Sequence, residues 1–324
     1  MSDPAVLCIL LNFRTADMTL RAAEAALADL QSVGGELVIV DNASGDESFE
    51  TISAAVAAGG WDAGGRVRVI ASPVNGGFGA GNNIGLRMSM SDGRAPDYFY
   101  ILNSDAFPDP GCVAGLLAHL ERHPRAGFAC SHVRGDDDVT HTTAFRFPSI
   151  AGEFVGAARL RAIEKMLPDV TVPMPVPQQT VQVDWCAGAS MLVRRAMLDE
   201  VGMFDERFFL YFEETDLCLR AARAGWACWY VVDSRVVHIG SVSTGLKTKR
   251  RMPSYWYDSR RHYFIKNHGR AAAILALGAH VLGGVLHRAR AGLAGRRPQD
   301  PSWFLSGLIA HAVKPYRLSP EDRS

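Results

Sequence analysis

The sequence predicts an α/β domain with a mainly parallel central sheet flanked by helices, followed by a basic helical extension at the C-terminus. Short apolar runs alternate with helical patterns over the first hundred residues, and this βαβα order is typical of a parallel sheet covered by helices. Several of the runs end in polar residues. Residues 246–324 differ from the rest of the chain in charge and aromatic content.

The first half of the chain contains four predicted strands and three predicted helices. The strands are expected at residues 6–11, 37–40, 67–70 and 98–102. The helices are expected near residues 18–30, 49–58 and 79–90. Polar side chains follow three of the strands, namely Asn12, Asp41 with Asn42, and Asn103 with Asp105. Ligands of open α/β sheets bind at the carboxyl edge of the strands, so these side chains mark a candidate site.

Residues 133–180 interrupt this regular pattern. They contain three consecutive aspartates, scattered aromatic residues and a proline-rich run at 173–177, which predicts a variable insertion of acceptor-specific or disordered loops. Regular structure is expected again at 181–193, with helices from about 195 and over 214–224 and a strand at 227–232. We therefore expect a main domain of residues 1–245 and a separate C-terminal region.

Charge divides the chain into two parts. The 324 residues have a formal net charge of zero and 48% apolar residues, which is ordinary for a globular protein. Residues 1–244 carry 19 Lys and Arg against 30 Asp and Glu, whereas residues 245–324 carry 15 against 4. The acidic body argues against a nucleic-acid partner, and the basic end would be attracted to phosphates or to an anionic lipid surface.

Residues 246–324 are predicted to be helical and to associate with a membrane. Basic and aromatic residues together suit a membrane interface, and here they are Lys247, Lys249, Arg250, Arg251, Arg260, Arg261, Tyr255, Trp256, Tyr257, Tyr263 and Phe264. The uncharged run at 271–286 is shorter than the roughly 20 residues that span a bilayer, which favours a helix lying on the membrane. The alternative is a helix packed on the body with a solvated basic face.

The six cysteines show neither a CxxC pair nor a zinc-like spacing, so we predict buried free thiols. The first apolar run is short and has no basic residue before it, which indicates a buried strand rather than a signal peptide. The main domain is therefore expected in the cytoplasm, with the C-terminal region holding it at the inner face of the cytoplasmic membrane.

Two acids and a glycine-rich loop are candidates for binding a nucleotide. Asp105 lies just past a strand, where a carboxylate can hold Mg²⁺ or Mn²⁺ against a diphosphate. Asp41 ends a strand, where an acid can accept hydrogen bonds from a base or ribose. A helix cap is the alternative for both acids. Glycines within residues 75–83 allow the backbone to approach a ligand, but their spacing matches neither GxGxxG nor GxxxxGK[ST].

An acidic run near residue 214 is the candidate for acid–base chemistry. Glu213, Glu214 and Asp216 follow aromatic residues and begin an amphipathic helix. Apolar surroundings raise a carboxyl pKa toward the strength of a general base, whereas stabilisation by the helix dipole is the alternative. His238 is either a metal ligand or a core histidine.

These motifs occur in a fixed order, namely Asn12, Val40-Asp41-Asn42-Ala43-Ser44, Asn75-Gly76-Gly77-Phe78, Gly81-Asn82-Asn83, Asn103-Ser104-Asp105, Gly188-Ala189, Glu213-Glu214-Thr215-Asp216 and His238. The series resembles that of the family-2 inverting glycosyltransferases, closest to the bacterial rhamnosyltransferase-like subgroup, over about residues 5–245. The resemblance implies a GT-A fold, a nucleoside diphosphate-sugar donor and a divalent cation, Mg²⁺ or Mn²⁺.

The resemblance also implies roles for single residues at the nucleotide end of the site. Asp41 and the Asn12 region, with Arg14, would hold the base and ribose. Residues that would line the nucleotide pocket are Asn75, Phe78 and Asn82. Residues that would contact the metal or diphosphate are Asn103, Asp105 and His238, with Asp105 and His238 as the metal ligands.

At the sugar end, Glu214 would deprotonate the acceptor hydroxyl, and Trp185 and Gly188 would shape the sugar and acceptor site. Two departures from the common pattern matter. The metal motif begins with Asn103, where the common pattern has Asp. Such a replacement is usual in the rhamnosyltransferase-like subgroup. The expected base is Glu where Asp is common, so Glu213 is a rival for the role.

The function expected from the sequence is inverting transfer of a sugar to a hydroxyl of a lipid-linked saccharide or oligosaccharide in surface or exopolysaccharide biosynthesis. The donor would be a dTDP- or UDP-sugar, and L-rhamnose from dTDP-rhamnose is suggested by subgroup similarity alone. The alternatives are a sugar nucleotidyltransferase and a carbohydrate-binding scaffold that has lost catalysis. Whether the chain forms a homo-oligomer stays open.

Overall fold

A nine-stranded mixed sheet forms the centre of the computed structural model, which describes residues 4–240, 251–297 and 300–316. The strands are β1 (Val6–Asn12), β2 (Glu36–Asp41), β3 (Val67–Ala71), β4 (Tyr98–Asn103), β5 (Ala106–Pro108), β6 (Ala126–Arg134), β7 (Ala144–Phe145), β8 (Val181–Val183), β9 (Trp185–Cys186), β10 (Ser190–Arg194) and β11 (Ala227–His238). The order across the sheet is β3-β2-β1-β4-β10-β6-β11-β5, with β8 also pairing with β11, while β7 and β9 form a separate pair.

Ten α-helices surround the sheet within the described residues. They are α1 (Ala16–Leu30), α2 (Ser48–Ala58), α3 (Gly77–Leu86), α4 (Cys112–Arg122), α5 (Ile150–Ala158), α6 (Arg161–Met166), α7 (Arg195–Val201), α8 (Glu213–Arg223), α9 (Ser254–Leu293) and α10 (Phe304–Val313). Every helix predicted in the main domain is present, with its ends displaced by a few residues at most.

Strands β3, β2, β1 and β4 are parallel, as predicted. Asn12 pairs with Asp41 in register, and Leu11 pairs with Asn103. The polar residues predicted to follow these strands therefore end neighbouring strands and meet at one edge of the sheet. Side chains alternate between the two faces of a strand, so Cys8 and Leu10 pack under α1, α2 and α4 while Leu7 and Ile9 pack under α3, α7 and α8.

The other half of the sheet is mixed. Strand β10 is antiparallel to both β4 and β6, and β11 is parallel to β6 but antiparallel to β5 and β8. The stretch predicted as regular at 181–193 is divided into three short strands. Strand β11 runs to His238, beyond the predicted end at residue 232, because its last three residues pair with β5. His238 is therefore held on a strand next to Ala106.

The prediction of loops for residues 133–180 was wrong for the short helix α6 and for the longer helix α5. Ser149 caps this helix by accepting a hydrogen bond from the Gly152 amide at 3.0 Å. Glu153 forms a buried ion pair with Arg260 of α9 at 2.8 Å. The partner of α5 lies about a hundred residues along the chain, so the local sequence pattern did not reveal that its face is covered.

Helix α9 has two segments with different surroundings, separated by Gly269 in a non-helical conformation (φ 87°, ψ 166°). The segment before Gly269 packs on the main domain, where Lys266 and Asn267 bind the fully buried carboxylate of Asp216 at 2.7 and 2.9 Å. Buried Arg260 also faces the protein rather than solvent. The predicted helical C-terminal region is present, and its first part is built into the body. Lys247, Lys249 and Arg250 lie outside the described residues.

The segment of α9 after Gly269 is mostly apolar and exposed. By length and composition, α9 is the one helix among the described residues that is able to cross a membrane, and 17% of its most apolar window is buried. The most exposed large apolar side chains on it are Ile274, Leu275, Leu282, Val285 and Leu293. This surface is distinct from the packed half of the same helix.

Candidate active site

A cavity of about 830 Å³ opens at the carboxyl edge of the parallel strands. It is lined by residues from the ends of β1, β2, β4 and β11, the start of α3, the β9–β10 connection, the start of α8 and the first turn of α9. Eight residues predicted for the site line it, namely Asn75, Phe78, Asn103, Asp105, Gly188, Glu213, Glu214 and His238. The fold therefore brings these eight residues together around one cavity.

Asn12 and Asp41 lie beneath the cavity wall rather than on it. Asp41 is buried and accepts hydrogen bonds from Asn12 Nδ2 at 2.7 Å and from the Ser44 hydroxyl at 2.5 Å. The Oδ1 atom of Asn12, which is fully buried, accepts from Thr15 and Thr19. This network fixes the loop after β2 and presents Asn42, one residue further on, to the cavity.

Asn42 and Asn75 form the adjoining wall. Asn42 Nδ2 donates to Asn75 Oδ1 at 3.0 Å, and the same oxygen accepts from the Gly77 amide. Gly77 has φ 87°, and a Cβ there would lie 1.7 Å from the Phe209 carbonyl oxygen, so only glycine fits. Asn42 Oδ1 is buried with no hydrogen-bond partner among the described residues, which leaves an acceptor for a donor group on a ligand.

Three other predicted residues lie outside the lining of the cavity. Arg14 is exposed near its rim and donates from Nε to the Ser44 carbonyl at 2.8 Å. Asn82 is buried within α3 and donates to the Phe78 carbonyl at 2.9 Å. Trp185 donates to the Arg146 carbonyl at 2.9 Å and stacks on Phe145. Their contacts in this structure are with the protein, so their expected ligand roles stay predictions.

Asp105 and His238 form the acid–imidazole pair of the site. His238 Nε2 lies 3.0 Å from Asp105 Oδ1 and 3.3 Å from Asn103 Nδ2. The pairing of His238 with Ala106 across β11 and β5 brings the two side chains together. Two ligand atoms at right angles around a cation about 2.1 Å away lie about 3.0 Å apart. The pair therefore fits a divalent cation, and the nitrogen ligand favours Mn²⁺ over Mg²⁺.

Glu213 and Glu214 begin α8 after two residues in the left-handed region. Tyr211 and Phe212 have φ of 71° and 69°, which costs of order 1–3 kcal/mol for each such residue and is found most often at functional sites. The turn directs Glu214 toward the cavity, where its Oε1 accepts a hydrogen bond from the Gly188 amide at 3.2 Å. Glu213 is 1% exposed, and its Oε2 has no partner among the described residues.

The two glutamates differ in protonation. Burial, together with the adjacent Glu214 charge, raises the pKa of Glu213 well above its ordinary value. Burial also raises the pKa of Glu214, while hydrogen bonds from backbone amides act in the opposite direction. We therefore assign the proton shared by this pair to Glu213, because its carboxyl is the more enclosed one. Glu214 is then the carboxylate that is free to act as a base.

We expect Gly188→Ala to lower kcat on the order of 10-fold by displacing Glu214 from its working position. A Cβ at position 188 would lie 3.1 Å from both Glu214 Oε1 and Phe78 Cζ. Gly156→Ala is the matched control, since a Cβ at that helical site meets nothing within 4 Å. Steady-state kinetics of both variants would test this expectation. Equal activity of the two variants would show that Gly188 does not position the base.

Several lining residues were missed by the sequence analysis. They are Phe13, Tyr211, Tyr255 and the segment 140–143. Tyr255 stacks 6.3 Å from Tyr211, so the start of α9 completes the wall. Phe13 directly follows Asn12, so its position next to a predicted site residue could have identified it. Tyr211 lies two residues before Glu213, in the aromatic run that precedes the acidic motif. The remaining residues come from the region predicted as an insertion and from the C-terminal region, where no motif marked them.

Solved structures that share this fold include glycosyltransferases. A mannosyltransferase from Pyrobaculum calidifontis in complex with GDP-Man and Mn²⁺ matches with TM-score 0.59 and 17% identity, covering 98% of this chain and 83% of that one. GalNAc-T7 with UDP, GalNAc and Mn²⁺ matches with TM-score 0.57 and 13% identity, covering 97% of this chain and 55% of that one. The architecture predicted from the motif series is thereby confirmed as the GT-A glycosyltransferase fold.

The family follows from the sequence itself. The model of glycosyl transferase family 2 matches residues 13–202, more than half of the chain. The chain therefore belongs to glycosyl transferase family 2.

Two curated relatives have related names. The N-acetylglucosaminyl-diphospho-decaprenol L-rhamnosyltransferase of Mycobacterium tuberculosis is 30% identical over 190 residues, which is 55% of this chain and 61% of that protein. The rhamnosyltransferase WbbL of Escherichia coli is 28% identical over 164 residues, which is 50% of this chain and 60% of that protein. The matched region thus spans about three-fifths of the length of these relatives. Within glycosyl transferase family 2, the chain is close to rhamnosyltransferases.

Proposed function

We propose that this glycosyltransferase moves a sugar from a nucleoside diphosphate-sugar to an acceptor hydroxyl with inversion at the anomeric carbon. The observation that carries the proposal is that one cavity contains both the carboxyl group of Glu214 and an acid–imidazole pair, Asp105 with His238. Direct displacement needs one carboxylate base, and we assign that role to Glu214 and the cation-binding role to Asp105. The buried Glu213 is protonated and does not serve as that base.

Different residues of the cavity would activate the acceptor and hold the diphosphate of the donor. Glu214 accepts the acceptor's hydroxyl proton as the new bond from oxygen to the anomeric carbon forms and the bond to the diphosphate oxygen breaks. Gly188 holds the Glu214 carboxylate through its amide. Asp105 and His238 would hold the divalent cation, with Asn103 beside them. The cation, when bound, offsets the charge that gathers on the departing diphosphate.

The donor we favour is dTDP-L-rhamnose, with a UDP-sugar as the alternative. Support comes from the relatives' names, which specify rhamnosyl transfer. The buried acceptor of Asn42 suits a donor N–H on a pyrimidine ring, which thymine and uracil share. Their difference, a methyl group, is worth only about 1 kcal/mol of discrimination in an apolar pocket.

The acceptor we propose is a lipid-linked saccharide at the inner face of the cytoplasmic membrane. The Mycobacterium tuberculosis relative is named for a decaprenol-linked substrate, and such a substrate is consistent with membrane association. The exposed apolar side chains of α9 after Gly269, together with exposed Arg270, give this end of the molecule an amphipathic surface. An apolar face with cationic neighbours binds anionic membrane interfaces.

We expect the double variant Leu275→Ser with Leu282→Ser to weaken binding to anionic vesicles at least about 10-fold, since each leucine buried in lipid contributes up to about 2 kcal/mol. Both side chains are more than half exposed, at 59% and 64%. The control is Val139→Ser with Met166→Ser, which removes apolar side chains that are 59% and 78% exposed on the main domain. Cosedimentation with vesicles measures both variants. Unchanged binding in the first variant would refute the membrane role of this surface.

The reaction class is tested by the products formed from dTDP-L-rhamnose and a lipid-linked N-acetylglucosamine acceptor. The proposal predicts release of dTDP and a new glycosidic bond of inverted anomeric configuration, identified by nuclear magnetic resonance. Release of pyrophosphate in a reaction with a sugar phosphate and dTTP would instead identify a nucleotidyltransferase. Acceptor binding without any turnover of a panel of nucleotide sugars would identify a scaffold.

A further inference from the structure

Four of the six cysteines meet behind the active site, although the sequence spacing gave no sign of it. Cys130 lies on β6, Cys186 on β9, Cys218 on α8 and Cys228 on β11, and all four are buried. The Sγ atoms of Cys130, Cys186 and Cys228 all lie within 4.8 Å of one another, and Cys130 Sγ is 4.0 Å from Cys228 Sγ. Cys218 lies beside Cys228 but outside this group of three. We call Cys130, Cys186, Cys228 and their neighbour Cys218 the thiol cluster.

The spacing of Cys130, Cys186 and Cys228 suits three corners of a tetrahedral metal site, and Cys218 would move in to supply the fourth. Zn²⁺ binds thiolate sulfur at about 2.3 Å, which places neighbouring sulfurs of a tetrahedron about 3.8 Å apart. The separations of 4.0 to 4.8 Å need only a small contraction to reach this value. Soft sulfur ligands prefer Zn²⁺ to the hard cations that suit Asp105. Cys112, by contrast, contacts the hydroxyls of Ser131 and Ser234.

We propose that the thiol cluster is a structural site for Zn²⁺, separate from the cation site at Asp105 and His238. Binding replaces the thiol protons, which pass to solvent, by zinc–sulfur bonds, and no group is oxidised or reduced. The ligands come from three strands and one helix, so the ion cross-links segments far apart in the chain. Such closed sulfur sites contribute directly to folding stability.

The position of the thiol cluster connects it to catalysis. Cys218 lies one helical turn after Glu214 on α8, and Cys186 lies two residues before Gly188. The Gly188 amide and the Glu214 carboxylate are hydrogen-bonded to each other. Zn²⁺ at the thiol cluster thus fixes both partners of the contact that positions the base. Cys130 and Cys228 attach this assembly to the neighbouring strands β6 and β11.

The experiment measures metal in the full chain expressed in zinc-supplemented medium and purified without chelator. Native mass spectrometry should show about one Zn²⁺ per chain, as expected for a closed sulfur site. The Asp105→Asn and Cys8→Ser variants should keep this zinc, and the Cys228→Ser variant should lose it. Cys8 is the matched control because it is equally buried in the opposite core. Expression with Co²⁺ should give the wild-type chain the intense near-ultraviolet absorption of thiolate-to-cobalt charge transfer. This measurement does not depend on the folding of any variant.

Three results would overturn the proposal. The first is wild-type chain without bound zinc and without the thiolate-to-cobalt absorption. The second is zinc that is lost in Asp105→Asn but kept in Cys228→Ser, which would place the ion at the cavity. The third is a mass lower by two hydrogens, which would show a disulfide between cluster thiols in place of a metal.

Discussion

Glu214→Gln should lower kcat by about 10² to 10⁴-fold, the usual contribution of a general base, while nucleotide binding is kept. The substitution preserves the size of the side chain and its contact with the Gly188 amide, but it removes the oxygen that takes the acceptor's proton. The wild-type rate should also fall as pH decreases through the pKa of Glu214, because only the ionised form is a base. Burial raises that pKa, so the acid limb should lie above the ordinary glutamate range.

Glu213→Gln is the matched control for this prediction. Glu213 is already protonated because burial raises its pKa, so the amide replaces a neutral group of the same shape and kcat should stay near the wild-type value. The folded state keeps a proton that the unfolded chain releases, so wild-type stability falls as pH rises above the ordinary glutamate pKa. Glu213→Gln should flatten that decline in denaturant titrations. A large loss of kcat in Glu213→Gln with little loss in Glu214→Gln would reverse the assignment.

Asp105→Asn should weaken Mn²⁺-dependent binding of the nucleoside diphosphate on the order of 100-fold, since the cation contributes several kcal/mol to holding the diphosphate charge. Asn keeps the shape of the side chain and a hydrogen bond to His238, but it loses the negative charge that attracts the cation. Calorimetric titration with dTDP and Mn²⁺ measures the change. The proposed ligand Asp105 follows β4 and the proposed ligand His238 ends β11, so both are anchored to strands of the sheet.

The control for Asp105→Asn is Asp92→Asn. Asp92 is an exposed acid that pairs with Arg94 in the turn before β4, at the amino end of the strand. The same loss of charge there should leave nucleotide affinity unchanged. If Asp105→Asn binds dTDP with Mn²⁺ as tightly as Asp92→Asn does, the cation is not held by Asp105.

The parts of the fold and site that the sequence predicted depend on local patterns. Strands β1, β2 and β4 could be predicted from apolar runs because each is buried on both faces, and their polar ends marked the ligand edge. Asp105 follows β4, Glu214 begins α8 and Gly188 lies between β9 and β10, and all three line the cavity. Asn12 and Asp41 were correctly placed at that edge, but the sequence could not show that they bind each other and present Asn42 instead.

The parts that could not be predicted depend on contacts between distant segments. Helix α5 is stabilised by Arg260 and α9, and the first half of α9 is held by buried Asp216. The thiol cluster joins four elements through single cysteines, so no spacing along the chain encodes it. The basic C-terminal region was predicted as one unit. In the structure, α9 packs on the main domain before Gly269 and is mostly exposed after it.

The central claim, that this cavity binds a nucleoside diphosphate-sugar through a divalent cation, is tested most directly by calorimetric titration of the wild-type chain. UDP, dTDP and GDP would each be titrated with Mn²⁺ and with EDTA. The account predicts that at least one of the pyrimidine nucleotides dTDP and UDP binds tightly in Mn²⁺ and that EDTA abolishes this binding. Failure of all three nucleotides to bind in the presence of Mn²⁺ would contradict it.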